Sequence, residues 1–445
     1  MTQLDTSQRV LHGWDPENED SWDSKIAWQT LWISTITLFL GFTTWYLVSA
    51  IAPMLNEIGF DLTAGQLYWL TSIPGLSTGL FRLIWMFLPP VLGTRKLVTF
   101  SALLYLIPLF GWFFTVQDTS APYWWLLTLS FLSGIGGGVF SGFMPSTGYF
   151  FPKSKSGTAL GLQAGLSNMG MSAIQLAAPW LVGMSIPLIS LGTAQTSAET
   201  GENMWVQNAA GILIPFVIVM VIVAWLMLKD VPVKANFKQQ IDIFGNVNTW
   251  VMSVIYFAGF GAFAGFSAQL ALLINDNFGA NSDLANNFDP ALLPVGGAIA
   301  FWFPLIGAGT RALWGPLCDK FGGAIWTFIG LVGMAVFTGA AALFLNPDSP
   351  DAFTWFWTLM LIMAFFSGLV NAGSFKQMPM ILPKRQSGGV IGWTGAVGSF
   401  GPFVAGVLLS MISATAFFWG CVVLFVIAAI LCWVYYTRPG APFPG

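Results

Sequence analysis

A chain of 445 residues that is 56% hydrophobic and only 8% charged, with a mean hydropathy of +0.72, lacks the charge a soluble protein needs to cover its surface. Its apolar runs reach the roughly 20 residues that cross a bilayer as a helix, and its 22 Trp and 40 Phe suit aromatic belts at membrane interfaces. The net charge of −3 says little, whereas the placement of the charges says much more.

The first 25 residues are polar and carry Asp15, Glu17, Glu19, Asp20 and Asp23. A signal peptide starts basic and turns apolar quickly, so this stretch is expected to be a cytoplasmic tail, 1–28, with Trp14, Trp22 and Trp28 settled at the membrane interface. Twelve spans follow, near 29–53, 66–92, 97–117, 123–151, 157–184, 207–228, 248–272, 292–317, 324–345, 353–382, 388–412 and 415–437. Turn-forming clusters such as Gln117-Asp118-Thr119-Ser120 and Asn346-Pro347-Asp348-Ser349-Pro350 separate them. The polar link 229–247, with Lys229, Lys234 and Lys238, divides an N-terminal half, 29–228, from a C-terminal half, 248–437, and 438–445 is left as a C-terminal tail.

Charge sorts between the two ends of the spans. Loops after even-numbered spans hold Arg95, Lys96, Lys153, Lys155, Lys229, Lys234, Lys238, Lys320, Lys384 and Arg385, with Arg438 after the last span. Loops after odd-numbered spans hold Glu57, Asp61, Asp118, Glu199, Glu202, Asp276, Asp283, Asp289, Asp348 and Asp351, and no Lys or Arg. The positive-inside rule then predicts an inner-membrane protein with both termini in the cytoplasm.

The two halves repeat each other. Arg82-Leu83-Ile84-Trp85 with Gly93 beyond it matches Arg311-Ala312-Leu313-Trp314 with Gly322 beyond it, at the same spacing. Ser133-Gly134 and Met144-Pro145 match Ser367-Gly368 and Met378-Pro379, and Pro152-Lys153 with Ser156-Gly157 matches Pro383-Lys384 with Ser387-Gly388. Three matches at one offset of about 230 residues argue for a duplicated six-helix unit. The predicted fold is therefore an all-α membrane protein of twelve helices in two pseudo-symmetric halves, the major facilitator architecture, with its site at the midplane between them.

Inside the spans stand three cations, Arg82, Arg311 and Lys376, and no Asp or Glu near mid-span. Such charges are costly in lipid and usually face a pathway. Both arginines are expected two to three turns from the basic end, too deep to snorkel, with no carboxylate at that depth. Equivalent positions in two halves bring them face to face, where an anion between them removes their repulsion. At about 4 Å and an effective dielectric of about 20, each attraction is worth about 4 kcal/mol before desolvation. A guanidinium fork matches a planar oxyanion through paired hydrogen bonds. Lys376 reads either as a lysine reaching toward the basic end or as a coupling candidate that carries a proton with the anion. Span five, Gly161 to Gly170, and span eleven, Gly388 to Gly401, are rich in small residues that let helices approach and slide, so Gly165, Gly170 and Gly398 are the gating candidates. Asn168 is a polar amide deep among those small residues, able to donate to an oxyanion.

The sequence resembles the nitrate/nitrite porter family of the major facilitators, the NarK-like proteins, over nearly its whole length. The most specific piece is Gly165-Leu166-Ser167-Asn168-Met169-Gly170 running to Ile174-Gln175-Leu176, with a looser copy at Gly368-Leu369-Val370-Asn371-Ala372-Gly373-Ser374-Phe375. The resemblance implies that Arg82 and Arg311 are the substrate arginines and Asn168 the signature asparagine. It implies that Phe140, Tyr256, Phe260 and Phe375 wall the site, with nitrate or nitrite stacked among the rings. Lys376 departs from the exchanger branch, which is uncharged there, and resembles a proton-coupled branch. The expected function is alternating-access transport of nitrate and nitrite by exchange or by proton symport. A carrier for another small or organic anion is the alternative. The only histidine, His12, lies in the tail, the cysteines Cys318, Cys421 and Cys432 are scattered, and no nucleophile–base set stands within the spans, so no enzyme, catalytic residue, metal or cofactor is expected. Expected partners are nitrate, nitrite, protons in the symport case and membrane lipid, with no nucleic acid, for a chain acting as a monomer.

Overall fold

The computed structural model describes residues 3–5, 9–198, 200–232, 242–279, 281–289, 292–382 and 384–443. Glu199, Lys234, Lys238 and Pro383, and most of the link 229–247, lie outside the described residues. Among the described residues twelve long helical stretches follow one another, with shorter turns of helix between some of them. They are α1 (Ser24–Leu55), α2 (Ala64–Trp85), α3 (Pro89–Thr115), α4 (Tyr123–Gly148), α5 (Lys153–Val182) and α6 (Asn208–Met227). The second set is α7 (Val247–Asn277), α8 (Trp302–Phe321), α9 (Gly323–Ala342), α10 (Ala352–Ile381), α11 (Lys384–Ser399 and Gly401–Leu409, parted at Phe400) and α12 (Ala414–Thr437). Helix starts are set locally. Asp23 accepts from the Lys25 N–H at α1, and Thr63 and Gln66 form a reciprocal capping box at α2.

Among the described residues, nine of these stretches are long and apolar enough to cross a membrane. The three that fall short, α2, α5 and α8, carry Arg82, Asn168 and Arg311. A helix that faces a polar pathway gives up apolarity on that face, and these three have done so. The most apolar windows of α1 and α7 are each 89% buried, while those of α6 and α12 are 33% and 39% buried. Each half therefore has one central and one lipid-facing helix in the same places.

The duplication extends to the helix crossings. Gly41 of α1 presses on Gly136 of α4, as Gly259 of α7 presses on Val370 of α10. Gly134 lies on Ser77 and Thr78 of α2, as Gly368 lies on Gly307 and Thr310 of α8. Gly170 lies on Phe39 and Thr43 of α1, as Gly401 lies on Gly261 of α7. After the arginine helices both halves break at glycine, with φ/ψ of 74°/167° at Gly93 and 87°/154° at Gly322, a region that essentially only glycine enters.

Two expectations need correction. Regular α2 ends at Trp85, one turn past Arg82; Met86–Leu88 turn, and one helical turn from Pro89 leads to the break at Gly93, so Arg82 is shallower in its helix than its sequence position implies. α7 runs to Asn277, which places Asp276 in a last helical turn and not in a loop. The tail is docked on the end of α4, a contact the sequence reading did not include. The Trp14 and Trp22 indoles donate to the Tyr149 and Phe150 carbonyls at 3.2 and 2.9 Å, and Leu11 is buried with Phe150 and Phe151. The tail backbone also pairs with Asp230 after α6, through Leu11 N–H to Asp230 C=O at 2.9 Å and Asp230 N–H to Arg9 C=O at 3.0 Å. An indole in a membrane interface finds partners in headgroups and water; here the exposed carbonyls at the end of α4 supply them.

On the acidic side, side chains tie the halves together. Tyr46 and Ser49 of α1 donate to the Ala264 and Ala268 carbonyls of α7 at 2.9 and 2.7 Å. Gln175 of α5 donates to the Ser267 carbonyl at 2.7 Å, and Thr71 of α2 donates to Gln269 at 2.5 Å.

Candidate functional site

Arg82 is 1% exposed. Its Nε donates to the Gly137 carbonyl of α4 at 3.1 Å, and Nη1 donates to the Gly395 carbonyl of α11 at 2.9 Å, across the boundary between the halves. The guanidinium lies over the Phe140 ring at 4.6 Å and near the Phe260 ring at 5.5 Å. Both carbonyls belong to glycines, and a Cβ at Gly395 would stand 3.3 Å from Nη1, so a side chain there would crowd the cation. Nη2 has no hydrogen-bond partner.

Arg311 is 8% exposed and lies over the Phe375 ring at 4.5 Å. It is within hydrogen-bonding reach of the Tyr256 hydroxyl, and its Nη1 has no partner. The two guanidiniums are close enough to repel each other. Among the described residues neither meets a carboxylate. A buried, unpaired cation is strongly unfavourable, and two that repel are more so, so the pocket is built to receive negative charge.

The rings form one connected wall. Tyr256 and Phe260 stack at 5.2 Å and 9° between planes, and Tyr256 meets Phe375 at 5.3 Å and 50°. Phe260 sits in a π-helical turn, Phe257–Gly261, which widens α7 at that level. Gly398 backs the same wall, since a Cβ there would stand 2.9 Å from the Tyr256 ring and 3.1 Å from the Phe260 ring.

Arg82, Arg311, Phe140, Tyr256, Phe260 and Phe375 thus belong to one set of contacts. Asn168 is 1% exposed with both amide atoms unpartnered, as is the neighbouring Ser167 hydroxyl. Each such group costs about 1–3 kcal/mol when left unsatisfied, which marks a face waiting for a ligand or water. Three residues before Asn168, Gly165 faces Ala312, next to Arg311, with a Cβ distance of 3.1 Å. Lys376 is half-buried and follows Phe375 on α10. The three glycines named for gating differ in place. Gly165 lies between the halves, whereas Gly170 packs on α1 and Gly398 on α7, each within its own half.

Sequence reasoning missed the carbonyls of Gly137 and Gly395, because any residue carries a carbonyl and only the fold aims these two. It also missed Tyr46, fully buried on α1 and close enough to Arg82 to feel its charge. An intramembrane tyrosine was the available signal.

The family model described as Major Facilitator Superfamily matches residues 33–401 and 284–445. The chain is 48% identical to the probable nitrate/nitrite antiporter NarK2 of Thermus thermophilus over 439 residues, 97% of each chain. It is 34% identical to the nitrate/nitrite transporter NarU of Salmonella typhimurium, covering 84% of this chain and 78% of that one. It is 30% identical to NarU of Escherichia coli, covering 97% of both. Among solved structures it resembles a bacterial homolog of the human lysosomal transporter Spinster, inward-facing and occupied, with a TM-score of 0.62 at 15% identity over 92% of this chain and 97% of that one.

Proposed function

The chain belongs to the Major Facilitator Superfamily and, within it, to the nitrate/nitrite porters, and from that membership we propose that it carries nitrate and nitrite across the cytoplasmic membrane by alternating access. The observation that carries the proposal is the arginine pair: equivalent positions in two repeats, each guanidinium with an unpartnered N–H, and, among the described residues, no carboxylate beside them. A planar anion enters between the forks, accepts from Arg82 Nη2 and Arg311 Nη1, and lies against the Tyr256, Phe260, Phe140 and Phe375 rings. Asn168 offers a further donor from α5. The site residues act as binding groups only, and no bond in the substrate is made or broken.

Transport requires the halves to rock about this site. The acidic side opens when the Tyr46, Ser49, Gln175 and Thr71 contacts to α7 part. The basic side opens when Arg82 lets go of Gly395, and Gly165 sliding on Ala312 accommodates either movement. Residues 29–228 and 248–437 are the moving halves, with both termini in the cytoplasm on the basic side and one chain sufficient for the cycle. The empty site holds two cations that must pass an apolar gate, whereas the filled site is closer to neutral, which favours exchange of nitrate for nitrite. Lys376, one residue from the ring under Arg311, offers proton symport as the second mode.

Uptake into liposomes tests both levels. Nitrate uptake is measured with and without internal nitrite, and with and without a pH gradient, for wild type and Lys376→Gln. Uptake of no nitrate under any of the four conditions sinks the substrate assignment. Stimulation by internal nitrite in both proteins, with no effect of the gradient, identifies an exchanger. Gradient-driven uptake that disappears in Lys376→Gln identifies a proton symporter that uses this lysine.

A further inference from the structure

On the lipid-facing surface, α3 and α6 leave a groove of about 460 Å³, within the roughly 300–1,000 Å³ of sites that take small ligands. Phe100, Leu103, Val221, Ile222 and Trp225 form its walls, and Lys96 stands at its mouth on the basic side. The Trp225 ring is held by Arg95, whose guanidinium lies 4.4 Å from the ring centre. Charge at the mouth is unbalanced. Arg95 and Lys96 both act on the one carboxylate of Asp230, Arg95 at 3.8 Å, and Lys229 adds a further cation beside it.

The corresponding helices of the other half, α9 and α12, meet differently. At the offset that relates Gly93 to Gly322, Arg95 and Lys96 become Ala324 and Ile325. Phe328 and Trp433 close on each other there, with ring centres 5.0 Å apart. The two copies differ here: the first has an apolar slot with cations at its mouth, and the second has apolar residues at the equivalent of those cations.

We propose that this groove binds one anionic glycerophospholipid, with an acyl chain along Phe100, Leu103, Ile222 and Trp225 and the phosphate against Lys96. Apolar fit alone gives no preference in a membrane, because bulk lipid tails are as apolar as these side chains. The selectivity comes from the surplus positive charge, which favours an anionic headgroup over a zwitterionic one by roughly five-fold per cation. The chain slot holds that headgroup in one place and separates the site from a diffuse basic surface.

The test is native mass spectrometry of the delipidated full chain titrated with phosphatidylglycerol or phosphatidylcholine of the same acyl chains. Wild type is expected to retain phosphatidylglycerol at least about five-fold better than phosphatidylcholine, roughly the effect of one cation. Lys96→Gln is expected to erase that preference, and Leu103→Trp, which fills the slot, to lose the tightly held lipid. Ile222→Trp fills the facing wall and replaces Leu103→Trp if that variant does not fold. Equal retention of the two lipids by wild type overturns the proposal, as does a preference that survives Lys96→Gln. A preference unaltered by either slot-filling variant also overturns it, since surface charge would then act without the groove.

Discussion

Arg82 and Arg311 occupy equivalent places in the two repeats, yet the protein holds them differently. Arg82 is anchored by two backbone carbonyls and two rings, and one carbonyl, that of Gly395, belongs to the other half. Arg311 has one ring and the Tyr256 hydroxyl, both from its own half. Duplication supplies two charges, and later divergence has made one a fixed latch between the halves and the other an adjustable arm. In the proposed cycle an anion between them takes the free N–H of the latch and recruits the arm, which couples binding to movement.

The largest expected effect comes from removing the fixed fork. Arg82→Lys keeps the charge but cannot serve both carbonyls and the substrate. Hydrogen bonds to charged groups are worth about 1.5–3 kcal/mol each, so loss of two corresponds to roughly 10²–10⁴-fold weaker nitrate binding. Arg311→Lys should lose about ten- to a hundred-fold, the equivalent of one such bond, measured by the same binding assay. Equal losses in the two variants would break the distinction between latch and arm, and near wild-type affinity in Arg311→Lys would remove the paired-fork site altogether.

The glycines sharpen the contrast further. Gly165→Val places bulk against Ala312 between the halves, so exchange should slow several-fold with little change in equilibrium binding. Gly398→Val presses on the Tyr256 and Phe260 rings inside one half, so binding itself should weaken. Stopped-flow exchange and equilibrium titration on each variant separate the two outcomes. If both variants lose rate and affinity in the same proportion, the division of labour between these glycines is wrong.

The smallest effect concerns the tie between the first half and its tail. Burial raises the Asp230 carboxyl above the ordinary aspartate value, against the lowering effect of the Arg95 N–H and the neighbouring cations. The folded protein then holds this proton more tightly than the unfolded chain. Stability is therefore highest below the ordinary aspartate value and falls as pH rises through the raised one. Melting of the detergent-solubilised protein should show that fall as pH rises above the ordinary aspartate range, and Asp230→Asn should flatten it. An unchanged pH profile in the variant would assign the slope elsewhere.

Much of the molecule was legible in the residues because bilayer physics leaves few choices. Apolar length pointed to nine of the long helices among the described residues, and two arginines at one offset pointed to the candidate site. Contacts that depend on how helices cross were not legible. Nothing in the string of residues says that Gly395 turns its carbonyl toward Arg82, or that α7 widens by a π-turn at Phe257–Gly261. The docking of the tail was not legible for another reason. Trp14 and Trp22 are as suited to a lipid interface as to carbonyls at a helix end, and only the assembled half offers the second choice.

That docked tail also sets a clock on synthesis. Leu11 is made well before its backbone partner Asp230, which follows the sixth span. At about 5–20 residues per second the two leave the ribosome roughly 10–40 s apart. Until Asp230 is made, Leu11, Trp14 and Trp22 lack their complete seat, because the Tyr149 and Phe150 carbonyls and the Asp230 backbone do not yet stand together. Seating of the tail therefore reports that six helices have been inserted and have closed on one another. Protease protection of residues 9–23 during translation would date the completion of the first half.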